Sequence, residues 1–88
     1  MKIEIKKLTD SEKKEKGISN WPIWEKEISK FDWFYDSAEH CLILEGQVFV
    51  KTDFETAEIN AGDYVIFPKG LKCVWDIKKP IKKHYFFE

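Results

Sequence analysis

The segment Gly62-Asp63-Tyr64-Val65-Ile66-Phe67-Pro68-Lys69-Gly70-Leu71-Lys72-Cys73 restricts what this chain can fold into more than any other stretch. It sets two glycines and a proline around an apolar run too short for a helix. Gly62 lies in the turn signal Ala61-Gly62-Asp63, where a residue without a Cβ takes up the positive φ of a tight reversal at little steric cost. Pro68 has no N–H to give to a ladder, so it ends the strand Tyr64–Phe67, and Gly70 lets the chain reverse. Beyond that corner, Cys73, Trp75 and Ile77 alternate with Lys72, Val74, Asp76 and Lys78. That is the period-2 pattern of a strand with one largely apolar face.

The same punctuation recurs along the chain. Phe31–Asp36, Glu39–Leu44, Gln47–Thr52, Thr56–Asn60 and Ile81–Phe87 are further short runs bounded by turn residues. Strands spaced about 8–12 residues apart predict an all-β sandwich or barrel. Upstream, Lys2–Leu8 alternates charge with Ile3 and Ile5 and reads as an edge strand. Thr9-Asp10-Ser11-Glu12 has the form of a capping box, which predicts one short solvated helix over 10–16, closed by Gly17. Ile18–Pro22 reads as a connection and Trp24–Ile28 as a strand. No repeat or linker divides the chain, so we expect one domain: residues 1–20 carry the first strand and helix, and 21–88 form the barrel.

At 88 residues, such a domain buries only about 60–65% of its unfolded surface, and its core must be dense. Four Trp, three Tyr and seven Phe supply large buried area per residue. Fifteen basic residues against sixteen acidic ones leave no electrostatic footprint for nucleic acid. All of the cations are lysine, so bidentate arginine recognition of phosphate or guanine has no donor. No apolar stretch is long enough to be a leader or a membrane span, and the expected location is the cytoplasm. Cys41 and Cys73 are too few for a disulfide scaffold and are expected as free thiols.

The spacing of Gly62, Pro68, Gly70 and the inward position Cys73 resembles the second motif of the cupin superfamily, where metal-binding members place a histidine ligand. The first cupin motif runs His-x-His, then Glu, then Gly. Glu39 and Gly46 stand at the right separation, but the histidine positions hold Asp32 and Phe34, or Trp33 and Tyr35. With Asp36, Leu44-Glu45, Phe67, Lys69, Trp75 and Lys83-His84-Tyr85, the pattern over roughly residues 20–87 is similar to short single-domain cupins related to the cupin domain of ureidoglycine aminohydrolase. The resemblance implies a single cupin jelly-roll β-barrel. It also implies that the scaffold motif is kept while the usual histidine metal site is absent.

Strand parity then supplies candidate site residues. If Glu39 points into the barrel, so do Cys41 and Ile43, while His40, Leu42 and Leu44 face outward. Leu42 and Leu44 need a cover, which either the N-terminal strand or a second subunit supplies; homodimers are common among cupins. From the facing strand, Cys73, Trp75 and Ile77 point inward. The resemblance sends Trp33 with Tyr35, and Lys83 with Tyr85, the same way. A buried carboxylate needs a cation, a donor or a proton, and Lys83 is the expected partner of Glu39.

The ligand-binding set is therefore Glu39, Cys73, Trp75, Trp33, Tyr35, Lys83 and Tyr85, holding a small polar ligand, with no metal and no other cofactor expected. Beside it stands a bland reading, in which the aromatic residues are core and both cysteines are simple packing. A divalent metal on Glu39, Cys41 and Cys73 is the alternative, and thiolates would suit zinc best. Two function classes stay open: a small-molecule-binding cupin, or a metal-assisted hydrolase or lyase acting on a small polar nitrogen compound, as the resemblance to ureidoglycine aminohydrolase implies.

Overall fold

A computed structural model describes residues 1–88. Seven strands follow one another as β1 (Glu4–Lys6), β2 (Ile23–Lys26), β3 (Ser29–Phe34), β4 (Glu39–Lys51), β5 (Thr56–Asn60), β6 (Tyr64–Phe67) and β7 (Lys72–Phe87). The helix α1 (Asp10–Lys16) separates β1 from β2. No helix is long and apolar enough to cross a membrane.

Two long strands organise the rest. The first half of β4 pairs with β6, and its second half pairs with β5. Along the other side β4 runs antiparallel to β7 over almost its whole length. β7 in turn takes β3 on its first half and β2 on its second, while β1 adds to β6 at the edge. The order β1-β6-β4-β7-β2, with β5 and β3 branching from the two long strands, wraps the sheet into a jelly-roll β-barrel.

The expected pairs Glu39–Leu44/Gln47–Thr52 and Lys72–Ile77/Ile81–Phe87 thus prove to be two continuous strands. The turn-like residues between them are bulges, not ends. Register slips between Ile43 and Val48 as β4 passes Lys79–Pro80 of β7. Gly46, at φ 103°, lies so close to that partner that a Cβ built on it would come within 2.2 Å of the Pro80 carbonyl oxygen. Only glycine allows this approach. The slip also switches inward parity on β4, from Glu39, Cys41 and Ile43 to Val48 and Val50, all of which are buried.

The Ala61-Gly62-Asp63 turn is built as its residues dictate. Gly62 takes φ 94°, and its N–H donates to Ile43 O at 2.8 Å, tying the β5–β6 turn to β4. The barrel core is filled by Ile43, Val48, Val50, Ile59, Val65, Phe67, Ile77 and Ile81. The capping box of α1 forms in both directions, Glu12 N–H to Thr9 Oγ1 and Thr9 N–H to Glu12 Oε1. The helix buries none of its residues.

A second, smaller cluster lies on the outer face. Leu42 and Tyr64 are covered by Ile18, from the single 3-10 turn Ile18–Asn20, with Leu8, Trp21 and Ile66 around them. The cover over Leu42 is therefore this connection, not the β1 strand, whereas Leu44 stays 37% exposed.

Candidate ligand-binding site

The site starts from the Pro-x-Gly corner. Gly70 N–H donates to Tyr35 O, and Tyr35 N–H donates to Leu71 O at 2.9 Å, so the corner clamps the connection between β3 and β4. Tyr35 is thereby fixed with its ring stacked on Phe67, centroids 4.9 Å apart and planes at 10°. Its hydroxyl donates to Glu39 Oε1 at 2.8 Å. The Lys83 ammonium donates to the other carboxylate oxygen, Oε2, at 2.7 Å.

Glu39 and Lys83 are 2% and 5% exposed. Charges this deep lose most of their hydration, and only direct pairing with further polarisable partners offsets that cost. Lys83 has such partners. Its Nζ lies 4.9 Å from the Trp24 ring centroid and 4.6 Å from that of Trp75, a double cation–π contact. Trp24 is its cross-strand neighbour on β2, which fixes one of the two faces. Burial, followed by the charge of Glu39 and the hydrogen bond to it, holds the Tyr35 phenol far above its ordinary pKa, so that hydroxyl remains a donor.

Over this polar floor lies a cavity of about 180 Å³. Glu39, Lys83 and Tyr35 form one end. Trp24, Phe31 and Trp75 form the walls, with Phe31 stacked on Trp75 at 15°. Trp33, Tyr85 and Phe87 complete the lining toward solvent, Trp33 and Phe87 being 47% and 44% exposed.

Six of the seven expected ligand-binding residues line this one cavity: Glu39, Trp75, Trp33, Tyr35, Lys83 and Tyr85. Cys73 does not. It borders a broader, open depression shared with Trp33, Lys51 and Lys72, and its Sγ donates to Trp33 O at 3.6 Å. Trp75 Nε1, two residues along the same face, is buried without a hydrogen-bond partner. Three lining residues were missed in the sequence: Trp24, Phe31 and Phe87. Phe31 shares the parity of Trp33 and Tyr35, and Phe87 that of Lys83 and Tyr85, while alternation on β2 does not say which face is inward. The signal for Trp24 is its register opposite Lys83, which needs the fold.

The carboxylate–dithiolate set is not assembled. No three His, Cys, Asp or Glu side chains converge as a metal would require. Both oxygens of Glu39 are engaged by Tyr35 and Lys83. Burial pushes the Cys41 thiol up to about 12 and the Cys73 thiol up to about 11, so neither is a ready thiolate. His40 faces outward, held between the Tyr64 hydroxyl and Glu88, and His84 Nδ1 bonds Trp21 O. The residues present do not fit the metal that the cupin resemblance brings to mind.

The EutQ-like cupin domain family matches residues 13–85. The chain belongs to that family. Among solved structures, this cupin is similar to a DUF861-family protein from Thermotoga maritima, at 48% identity and TM-score 0.97, over 99% of this chain and 100% of that one. It is also similar in fold to the EutQ protein of Clostridium difficile, at 19% identity and TM-score 0.69, over 97% of this chain and 66% of that one. A putative ethanolamine utilization protein Q from Salmonella typhimurium gives 19% identity and TM-score 0.68, over 99% of this chain and 69% of that one. No functionally curated protein matches. The family match confirms the cupin part of the resemblance; no relation to ureidoglycine aminohydrolase emerges from these matches.

Proposed function

We propose that this cupin binds a small molecule in the aromatic cavity, with Glu39, Lys83 and Tyr35 as the polar end of the site. One observation carries the reading: a fully buried ion pair stands at the floor of an otherwise apolar cavity that still opens to solvent. A barrel needing only a core would be served by aliphatic side chains there, as it is around Val48, Val50 and Ile59. Replacing a buried pair by apolar residues of similar volume is often neutral or stabilising. The alternative of a metal-assisted hydrolase or lyase has no specific observation in its favour, because the donor set it needs is not assembled.

The test is a thermal-shift screen with a broad set of small metabolites, followed by native mass spectrometry of the hits. A ligand that binds only the folded state raises Tm with its concentration. We expect at least one compound class to do so and to lose the effect in Phe31→Ala. A screen with no concentration-dependent shift would remove the reading.

A further inference from the structure

We infer that the preferred ligand is an uncharged compound built on a single aromatic ring with one hydroxyl-like polar group. The inference rests on the cavity being the binding site.

Size sets the first limit. A cavity of about 180 Å³ is one ring's worth of space; an engineered apolar cavity of about 150 Å³ in another protein takes up benzene.

Charge sets the second limit. The only ionisable lining residues with opposite full charges are Glu39 and Lys83, and they neutralise each other at 2.7 Å. A cationic ligand would seek the indole faces of Trp24 and Trp75, which Lys83 already occupies. An anionic ligand would have to draw Lys83 from Glu39 and lie beside a carboxylate that is 2% exposed. Either charge therefore enters the site against an existing partner, and a neutral molecule meets no such conflict.

Shape sets the third limit. Seven of the nine lining side chains are aromatic, and they already contact one another face-on and edge-on, as in Phe31–Trp75 and Trp24–Trp75. A planar guest continues that pattern with offset-stacked or edge-to-face contacts, whereas a branched aliphatic guest does not. The Lys83 ammonium is taken up by Glu39 and by the faces of Trp24 and Trp75. The polar group has one unengaged hydroxyl partner among the lining side chains. Tyr85 is that residue: it lines the cavity, and its hydroxyl makes no hydrogen bond within the protein.

The experiment uses the chain's own reporters. Of its four tryptophans, Trp24, Trp33 and Trp75 line the cavity, while Trp21 packs on Tyr64 and Phe86 at the outer face. The indole N–H signals of isotope-labelled protein are followed during titration with phenol, benzoate, benzylammonium and cyclohexanol. Phenol should shift the three cavity signals saturably and leave Trp21 in place. Benzoate, benzylammonium and cyclohexanol should each bind at least about tenfold more weakly, a gap of about 1.4 kcal/mol. In Glu39→Gln, Lys83 loses its counter-ion and benzoate should overtake phenol. If that variant does not fold, the wild-type order alone decides.

Equal or tighter wild-type binding of benzoate, benzylammonium or cyclohexanol at the same three indoles overturns the ligand class and leaves the binding site standing. No saturable shift from these four probes, together with an empty metabolite screen, overturns both. Shifts that include Trp21 and never saturate mean nonspecific partitioning and also overturn the inference.

Discussion

Glu39 and His40 are consecutive residues of β4, yet they head two different polar networks. Glu39 points inward to the Tyr35 hydroxyl and the Lys83 ammonium. His40 points outward, to the Tyr64 hydroxyl at 2.7 Å and the Glu88 carboxylate. Each network joins a tyrosine, a β4 side chain and an opposite potential charge. They differ in water. Inside, the side chains of Lys83 and Glu39 are 6% and 3% exposed; outside, those of His40 and Glu88 are 23% and 58% exposed. The same kind of triad should therefore be critical on one face of the strand and nearly dispensable on the other.

The largest expected effect comes from leaving one inner charge alone. Lys83→Met strands Glu39 in a dry site and should cost about 3–5 kcal/mol in urea unfolding. Glu39→Gln combined with Lys83→Met should cost less than the sum of the two single changes, because the pair is lost together. Additive losses would mean that the inner network is no tighter than the outer one.

Tyr35→Phe comes next. It keeps the ring stacked on Phe67 and removes only the donor to Glu39, at an expected cost of about 1.5–3 kcal/mol, typical of a hydrogen bond to a charged group. The same denaturation measurement checks it, and a loss below that of the outer pair would reverse the comparison.

Alkali sharpens the contrast from another side. Cys41 shares the inward parity of Glu39, and burial raises its thiol from 9.0 to about 12, with Cys73 raised to about 11. Between pH 9 and those values the unfolded chain has released protons that the native chain still holds. Stability is therefore complete below pH 9 and falls as pH rises, by at most about 1.4 kcal/mol per pH unit for each thiol. Unfolding at pH 8 and pH 10 measures the slope, which should be shallower in Cys41→Ala.

The smallest effect is outside. His40→Ala or Glu88→Ala should change stability by about 0–1 kcal/mol, and high salt should erase much of it. A loss comparable to that of Lys83→Met would break the comparison.

The inner network was largely legible in the sequence. Period-2 alternation puts Glu39 and Cys41 on one face and His40 and Leu42 on the other, and the burial of Cys73, Trp75 and Ile77 follows the same rule. The need of a buried carboxylate for a cation points to Lys83, and the two are found in contact. Local patterning was silent where position depends on long-range register. Trp24 enters the cavity because β2 aligns it with Lys83, whereas Phe87 follows from the expected strand Ile81–Phe87, two residues beyond Tyr85 on the same face. Cys73 keeps the right parity but borders a different depression, since parity fixes a face and not a position along the barrel. Turn residues also misled: Gly46 and Pro80 read as strand ends, whereas two long strands run on through them.

The near-contact between Gly46 and the Pro80 carbonyl acts as a rivet through the two longest strands. It stands apart from the residues that line the chamber, so the walls can be re-dressed to suit other guests while the rivet keeps the frame in place. A single methyl group at position 46 would pry the frame open, although it would touch nothing that a guest ever meets.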